Sequence, residues 1–297
     1  MIIRTLDDVT SDALAAMERT ADPRAREILV SLVKHLHGFV REVRLTEAEF
    51  RQATAVLNEM GKLSTDAHNE SVLMAGSLGV SSLVCLVNNG DNGNTETSQS
   101  LLGPFWRLNS PRVANGGTIV RSETPGDPLL VTARVVDGAG KPVMGAEVDI
   151  WHASPIGLYE NQDPGQADMN LRGKFTTDED GRIWFSTVKM IGYPIPTDGV
   201  VGRLLQAQNR HPYRPAHLHA LIVKQGFKVL TSQVYDLSDP HIDTDPQFGV
   251  TKALLGDYVR HEEPHPSEPG IRPPWYSLDY TYVMEPGEAK LPTPPIK

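Results

Sequence analysis

The sequence predicts an α+β protein in which a helical N-terminal region, residues 1–100, precedes an antiparallel β-sandwich, residues 101–297. Three observations carry that prediction. Apolar residues recur at helical spacing through residues 10–88, and the turn-rich stretch "NNGDNGNTETSQS" then ends the pattern. Beyond it come short alternating segments separated by Gly and Pro. Many short strands with frequent turns pack as a sandwich or a barrel.

Taken in order, "REILVSLVKHLHGFVREV" puts Ile28, Leu29, Leu32, Val33, Leu36, Phe39, Val40 and Val43 at helical spacing. Thr46 and Glu49 have capping-box spacing for a second helix, "TEAEFRQATAVLNEMGKL", with Gly61 as its expected stop. A third helix is expected over "VLMAGSLGVSSLVCLVN". In the second half, "LLVTARVVD" and "AEVDIWHAS" flank "GAGKPVMG" and read as a hairpin. "GKFTTDEDGRIWFSTV" reads as two strands around the turn Asp178–Gly181. "HLHALIV" and "FKVLTSQVYD" flank Lys224, Gln225 and Gly226 as a further strand pair.

Composition narrows the function classes. A chain of 297 residues can bury a large core, and none of its apolar runs is long enough to span a bilayer. The start, "MIIRTLDDVTSDALAAM", has no signal-peptide pattern, and Cys85, the only cysteine, cannot form an intrachain disulfide. A cytoplasmic location is the expectation, with Cys85 a packed thiol in "SSLVCLV". A net charge of −9 without a basic run argues against nucleic acid as a partner.

The stretch "HPYRPAHLHALIV" places His217 and His219 one residue apart in an apolar run. On a strand, residues i and i+2 share a face, about 6–7 Å apart at Cα. Two imidazoles so placed can converge on one metal, although a bare His-x-His also fits two ordinary polar positions. Further ligands decide between these readings. Tyr159 in "WHASPIGLYENQD" and Tyr193 in "MIGYPIPTDG" stand beside Gly and Pro, which fix loop backbone where a side chain must be aimed. Alone, each reads equally as a packed aromatic.

In combination, "DIWHASPIGLYENQD", "GYPIPTDGVVGRLL" and "RHPYRPAHLH", in that order, resemble the intradiol ring-cleaving dioxygenases, over a span from about Leu73 nearly to the end of the β half. The resemblance implies one non-haem Fe(III) per chain, held by Tyr159, Tyr193, His217 and His219. Anionic oxygen donors suit a hard, highly charged ion, and its charge holds phenols deprotonated. The substrates implied are an aromatic diol and O2, both oxygen atoms entering a muconate- or maleylacetate-type diacid. Catechol is expected to displace a bound hydroxide and Tyr193, which takes up a proton as it leaves. Arg214, which alone would read as a solvated loop residue, is implied to face the substrate ring as fixed positive charge. Gln233 matches a glutamine near the iron. The N-terminal helices agree with the catechol branch, where they form a dimer interface, so a homodimer is implied, and the same resemblance raises a lipid bound there. His152, His211 and His241 are expected in packing or surface roles.

"LLGPFW" and "YPIPTDGVVGRLL" are closest to the hydroxyquinol 1,2-dioxygenase branch, with catechol or a substituted catechol as the alternative substrate. Pocket positions implied by the resemblance are Leu73, Gly76, Leu102, Gly103, Pro104, Phe105, Ile195, Pro196 and Gln247. Gly76 stands where that branch usually has Asp, Gln247 where an apolar residue is usual, and Val200 where Pro is usual. A cupin-type Fe(II) centre would need a glutamate soon after the second His, which "HLHALIVKQG" lacks. A non-catalytic β-sandwich binding module is the alternative from another class.

Overall fold

A computed structural model describes residues 2–65, 68–89 and 99–295. Most of the turn-rich stretch, residues 90–98, lies outside the described residues. The chain forms two compact units that divide between Glu59 and Met60.

In the first unit, α1 (Leu6–Met17) is capped by Thr5, whose hydroxyl accepts from the Asp8 N–H while Asp8 bonds back to Thr5. Helix α2 (Pro23–Glu42) starts with Pro at its first turn under an Asp22 cap. Neither helix buries a residue fully, and Ile28, Leu32, Leu36 and Phe39 of α2 are each about half exposed. The expected Thr46–Glu49 capping box forms at the head of α3 (Glu47–Leu63). Gly61 does not stop α3 but lies inside it, because glycine in a helix costs only about 1 kcal/mol and its left-handed option is not used here.

The expected third helix is two helices, α4 (Glu70–Ser77) and α5 (Val80–Asn89), meeting at 77°. Gly79 breaks them apart: at φ 74° it takes the left-handed conformation that ends a helix.

The strands are β1 (Pro128–Asp137), β2 (Glu147–Trp151), β3 (Arg172–Thr176), β4 (Arg182–Val188), β5 (Tyr193–Pro194), β6 (Tyr213–Arg214), β7 (His217–Val223), β8 (Leu230–Asp236), β9 (Leu255–Gly256), β10 (Tyr258–His261) and β11 (Trp275–Met284). One sheet has the order β10-β11-β1-β4 and the other β3-β2-β7-β8-β9, with β5 and β6 as a separate ribbon. Helix α6 (Val200–Ala207) lies between β5 and β6 in the chain.

The sandwich is mixed rather than purely antiparallel, since β1 pairs β11 and β8 pairs β9 in parallel. The expected hairpin of residues 129–137 and 146–154 is also corrected. Its strands belong to different sheets, as do β3 and β4. After Gly140 the chain runs back briefly beside β1, the Val143 N–H bonding to Val135 O, and then crosses to the second layer at Gly145. The strand pair around Lys224–Gly226 forms as expected, β7 with β8.

Inward faces of both sheets supply one core, including Leu129, Val131, Ile183 and Phe185 from the first and Ile150, Phe175, Leu218 and Ile222 from the second. Phe175 and Phe185 stack across the layers at 4.8 Å. Alternation then sends His217, His219, Gln233, Tyr235 and Trp151 to the outer face of the second sheet, which is nevertheless buried.

Candidate active site

His217 and His219 share a face of β7, their rings 4.8 Å apart. Tyr159 arrives on the loop after β2, and Tyr193 opens the β5–β6 ribbon directly opposite Arg214. The polar atoms of the four side chains form a continuous string. Tyr193 Oη lies 3.3 Å from His217 Nε2 and 3.1 Å from Tyr159 Oη, which lies 3.1 Å from His219 Nε2. All four residues are buried.

Burial dominates their electrostatics. It pushes His217 down to about 3, with Arg214 adding to the effect, and holds His219 well below the usual range. It also raises both phenols, Tyr159 farther because Tyr193 adds to the effect, whereas Arg214 opposes the rise at Tyr193. The imidazoles are therefore neutral, the form a metal requires. The His217 Nδ1–H donates to Pro215 O at 2.7 Å, which leaves Nε2 for the string. His219 is held instead by the Trp151 indole, stacked on it at 4.6 Å and 10°.

Two phenol oxygens and two imidazole nitrogens, convergent and shielded from water, form a donor set that could hold a hard ferric ion. Among the described residues no group of three or more His, Cys, Asp or Glu is placed to hold a metal. The tyrosines are what make this set.

Arg214 is a buried residue, not a solvated one. Its guanidinium donates to both Asp245 carboxylate oxygens at 3.1 Å, to Gln233 Oε1 at 3.2 Å and to the Tyr235 hydroxyl. Burial works against the Asp245 carboxylate, yet Arg214 beside it keeps its pKa below the usual range. Gln233, fully buried, donates onward to Leu101 O. Tyr235 and Asp245 were not anticipated from sequence. Tyr235 could have been, since it follows Gln233 by two residues and faces the same way opposite His217. Asp245 lies in the irregular "HIDTDPQFGV", where no periodicity marks it.

The expected pocket positions separate into groups. Leu102 and Phe105 pack on the cluster of Trp106, Trp151, Tyr159 and Tyr193, with Phe105 4.4 Å from the Tyr159 ring. Gly103, at φ 75°, approaches so closely that a Cβ would stand 3.1 Å from His219 Cε1. Leu73 packs with Ile195 in a second cluster with Val201 and Leu205. Gly76 and Gln247 are in contact, for a Cβ at 76 would fall 1.9 Å from Gln247 Oε1. The Gln247 amide donates to Ser77 Oγ at 2.7 Å. Pro104 and Pro196 are exposed. Val200 begins α6, whose second N–H, that of Val201, bonds to buried Glu70 at 2.9 Å.

His152 is buried between Ala153 O and Thr187 Oγ1 and is pushed down to about 4 by burial, which is a packing role. His211 and His241 lie against each other outside the quartet, 4.5 Å apart.

The sandwich and its helical preface belong to a known class. The chain belongs to the intradiol ring-cleavage dioxygenases: the family described as "Dioxygenase" matches residues 102–283, and "Catechol dioxygenase N terminus" matches residues 22–95. It is an enzyme of that class, which uses non-haem iron. The chain is 40% identical to a hydroxyquinol 1,2-dioxygenase of Rhizobium sp. (strain MTP-10005), over 91% of this chain and 92% of that one. It is 38% identical to a 6-chlorohydroxyquinol 1,2-dioxygenase of Cupriavidus pinatubonensis, over 94% and 97%. Among solved structures, a hydroxyquinol 1,2-dioxygenase from Pseudomonas putida DLL-E4 superposes with a TM-score of 0.86 at 36% identity, covering 95% of this chain and 99% of that one.

Proposed function

We propose that this enzyme cleaves hydroxyquinol (1,2,4-trihydroxybenzene) between its 1- and 2-hydroxyls, and that Tyr159, Tyr193, His217 and His219 hold one Fe(III) per chain in the 101–297 domain. The observation that carries the reading is the four-atom string beside a buried, fully charged Arg214. Bound ferric iron would activate the diol for reaction with O2. The residues do the rest. With bound iron holding it deprotonated, Tyr193 Oη would accept a proton from a substrate hydroxyl. Arg214, locked by Asp245, presents fixed positive charge to the ring as negative charge develops there. Gln233 and Tyr235 keep the guanidinium from swinging away. Phe105, Trp106 and Trp151 exclude water, which strengthens each of these interactions.

The relatives named for hydroxyquinols, and the runs Gly103–Phe105 and Ile195–Gly199, support the substrate assignment. At position 76 a carboxylate is absent, and the Gln247 amide occupies that space. An amide can donate to or accept from the third hydroxyl. A homodimer through the N-terminal helices is part of the proposal, supported by the half-exposed apolar stripe of α2. So is a cytoplasmic location. No single described helix is long and apolar enough to cross a membrane.

The test compares kcat/KM for hydroxyquinol, catechol and a methylcatechol, in wild type and in Gln247→Val. Hydroxyquinol is expected to lead, and the variant to narrow that lead. Catechol ahead by tenfold, about 1.4 kcal/mol in transition-state binding, overturns the substrate and leaves the reaction class standing.

A further inference from the structure

Arg172 is a second fully buried arginine, 1 % exposed, and no step of ring cleavage uses it. Its Nε donates to Glu160 Oε1 at 2.7 Å, while both Nη groups are buried without a hydrogen-bond partner among the described residues. Glu160 also accepts from Arg107 at 3.0 Å, so one buried carboxylate faces two guanidiniums. An arginine kept only to fill a core would have its donors satisfied, because idle buried N–H groups destabilise the fold. Something other than packing fixes Arg172 here.

The sheet register indicates what. Arg172 lies opposite Trp151, Trp151 opposite His219, and His219 opposite Gln233, a single row across four strands. Directly opposed residues share a face and touch. Trp151 stands between Arg172 and His219 in that row, its ring stacked on the imidazole. On its other side Arg172 grips Glu160, the residue next to Tyr159 in the chain. The approach to the strand is itself forced. Met169 and Leu171 both sit at φ 59°, a conformation that bulky residues keep only where the surroundings over-determine it, and the Leu171 N–H is tied to Ile119 O at 2.9 Å.

We propose that Arg172 is a positioning residue for the Tyr159–His219 half of the metal centre, setting the Tyr159 hydroxyl through Glu160 and the His219 ring plane through Trp151. The proposal rests on the iron reading above. Lysine cannot replace Arg172 fully, since it offers a point charge in place of a rigid fork.

Arg172→Met, Arg172→Lys and Glu160→Gln, each purified with iron, test it by three readouts. These are the visible phenolate-to-iron charge-transfer band, the rate of iron loss to a chelator, and KM beside kcat per bound iron, with circular dichroism as the control of fold. Arg172→Met is expected to shift the band and to lose iron about tenfold faster or more, the range seen when a group supporting a ligand is removed. KM should stay within about twofold, because Arg172 does not touch the substrate site, while kcat per iron falls. Arg172→Lys should recover part of the iron retention, and Glu160→Gln should shift the band in the same direction by less. A wild-type band and wild-type iron retention in both Arg172→Met and Glu160→Gln overturn the proposal. If Arg172→Met does not fold, Glu160→Gln alone decides. A wild-type protein without any such band would instead overturn the iron reading, and this proposal with it.

Discussion

The two sheets of the sandwich present the same kind of inner face and differ in the outer one. In the first sheet β1 alternates, with Leu129, Val131, Ala133 and Val135 buried and the positions between them open to varying degrees, and Trp184 of β4 is exposed. In the second, every residue of β8 and all but the last of β7 are buried. A strand buried on both faces ordinarily reads as a continuous apolar run. Here the outer positions include His217, His219, Gln233 and Tyr235. Polar groups so enclosed must find partners. His217, Gln233 and Tyr235 find them among Pro215, Tyr193, Arg214 and Leu101, and His219 through Nε2 to Tyr159, so the first sheet serves the fold while the second also carries the proposed site.

That division can be broken from either side. The largest effect is expected from His217→Ala or His219→Ala, which should abolish iron binding and reduce activity to background while circular dichroism keeps its β signature. Unfolding of both variants would mean that the outer face is structural after all. Arg214→Ala comes next. It should lower kcat on the order of 10²-fold with iron retained, since it removes one preorganised charge from the reacting ring. Loss of iron with unchanged turnover per iron would contradict that role.

On the first sheet, Leu129→Ala should cost roughly 2–5 kcal/mol of stability, measured by denaturant unfolding, and leave kcat per bound iron unchanged. A fall in per-iron kcat would show that the sheets are not separable.

The smallest effect concerns Asp149, on the outer face of β2, where burial pushes the carboxyl up to about 6 from the usual 3.8 against the Trp106 indole donor. A raised carboxyl pKa means that the folded state prefers the protonated form. Its stabilising contribution is present below pH 4 and lost as pH rises through about 6. Asp149→Asn should therefore match wild type at pH 4 and exceed it at pH 8, by no more than about 3 kcal/mol. A constant difference between the two pH values would place the carboxyl in a more polar setting.

Legibility followed the same division. Alternation in "HLHALIV" located β7 and its two outward imidazoles, because period two is a local property. The assignment of strands to sheets was not local. Residues 138–145 look like a hairpin turn and are the crossing between layers, where the Gly145 N–H bonds to Thr177 O, a partner distant in sequence that the turn residues do not announce. Gly79 was visible as a residue but not as a break, since only its left-handed φ distinguishes it from Gly61. Tyr159, Tyr193, His217 and His219 were readable as a set only through the resemblance of three motifs in order, since each alone also fits a packing role. Asp245, which holds Arg214 from an irregular loop, had no such frame.

The parallel pairing of β1 with β11 carries a consequence for how the molecule comes into being. These partners, Leu129 with Tyr276 through Asp137 with Met284, lie near opposite ends of the sandwich's stretch of sequence. On the ribosome, β1 emerges long before the strand that completes its sheet, and until then one edge of it presents unpaired N–H and C=O groups. Pairings so distant in sequence close slowly. The second sheet has a different timetable, because β7 and β8 are joined by a short connection and can zip as soon as residue 236 is free. The strand bearing both histidines can thus be in register before the sandwich has closed over its own first strand.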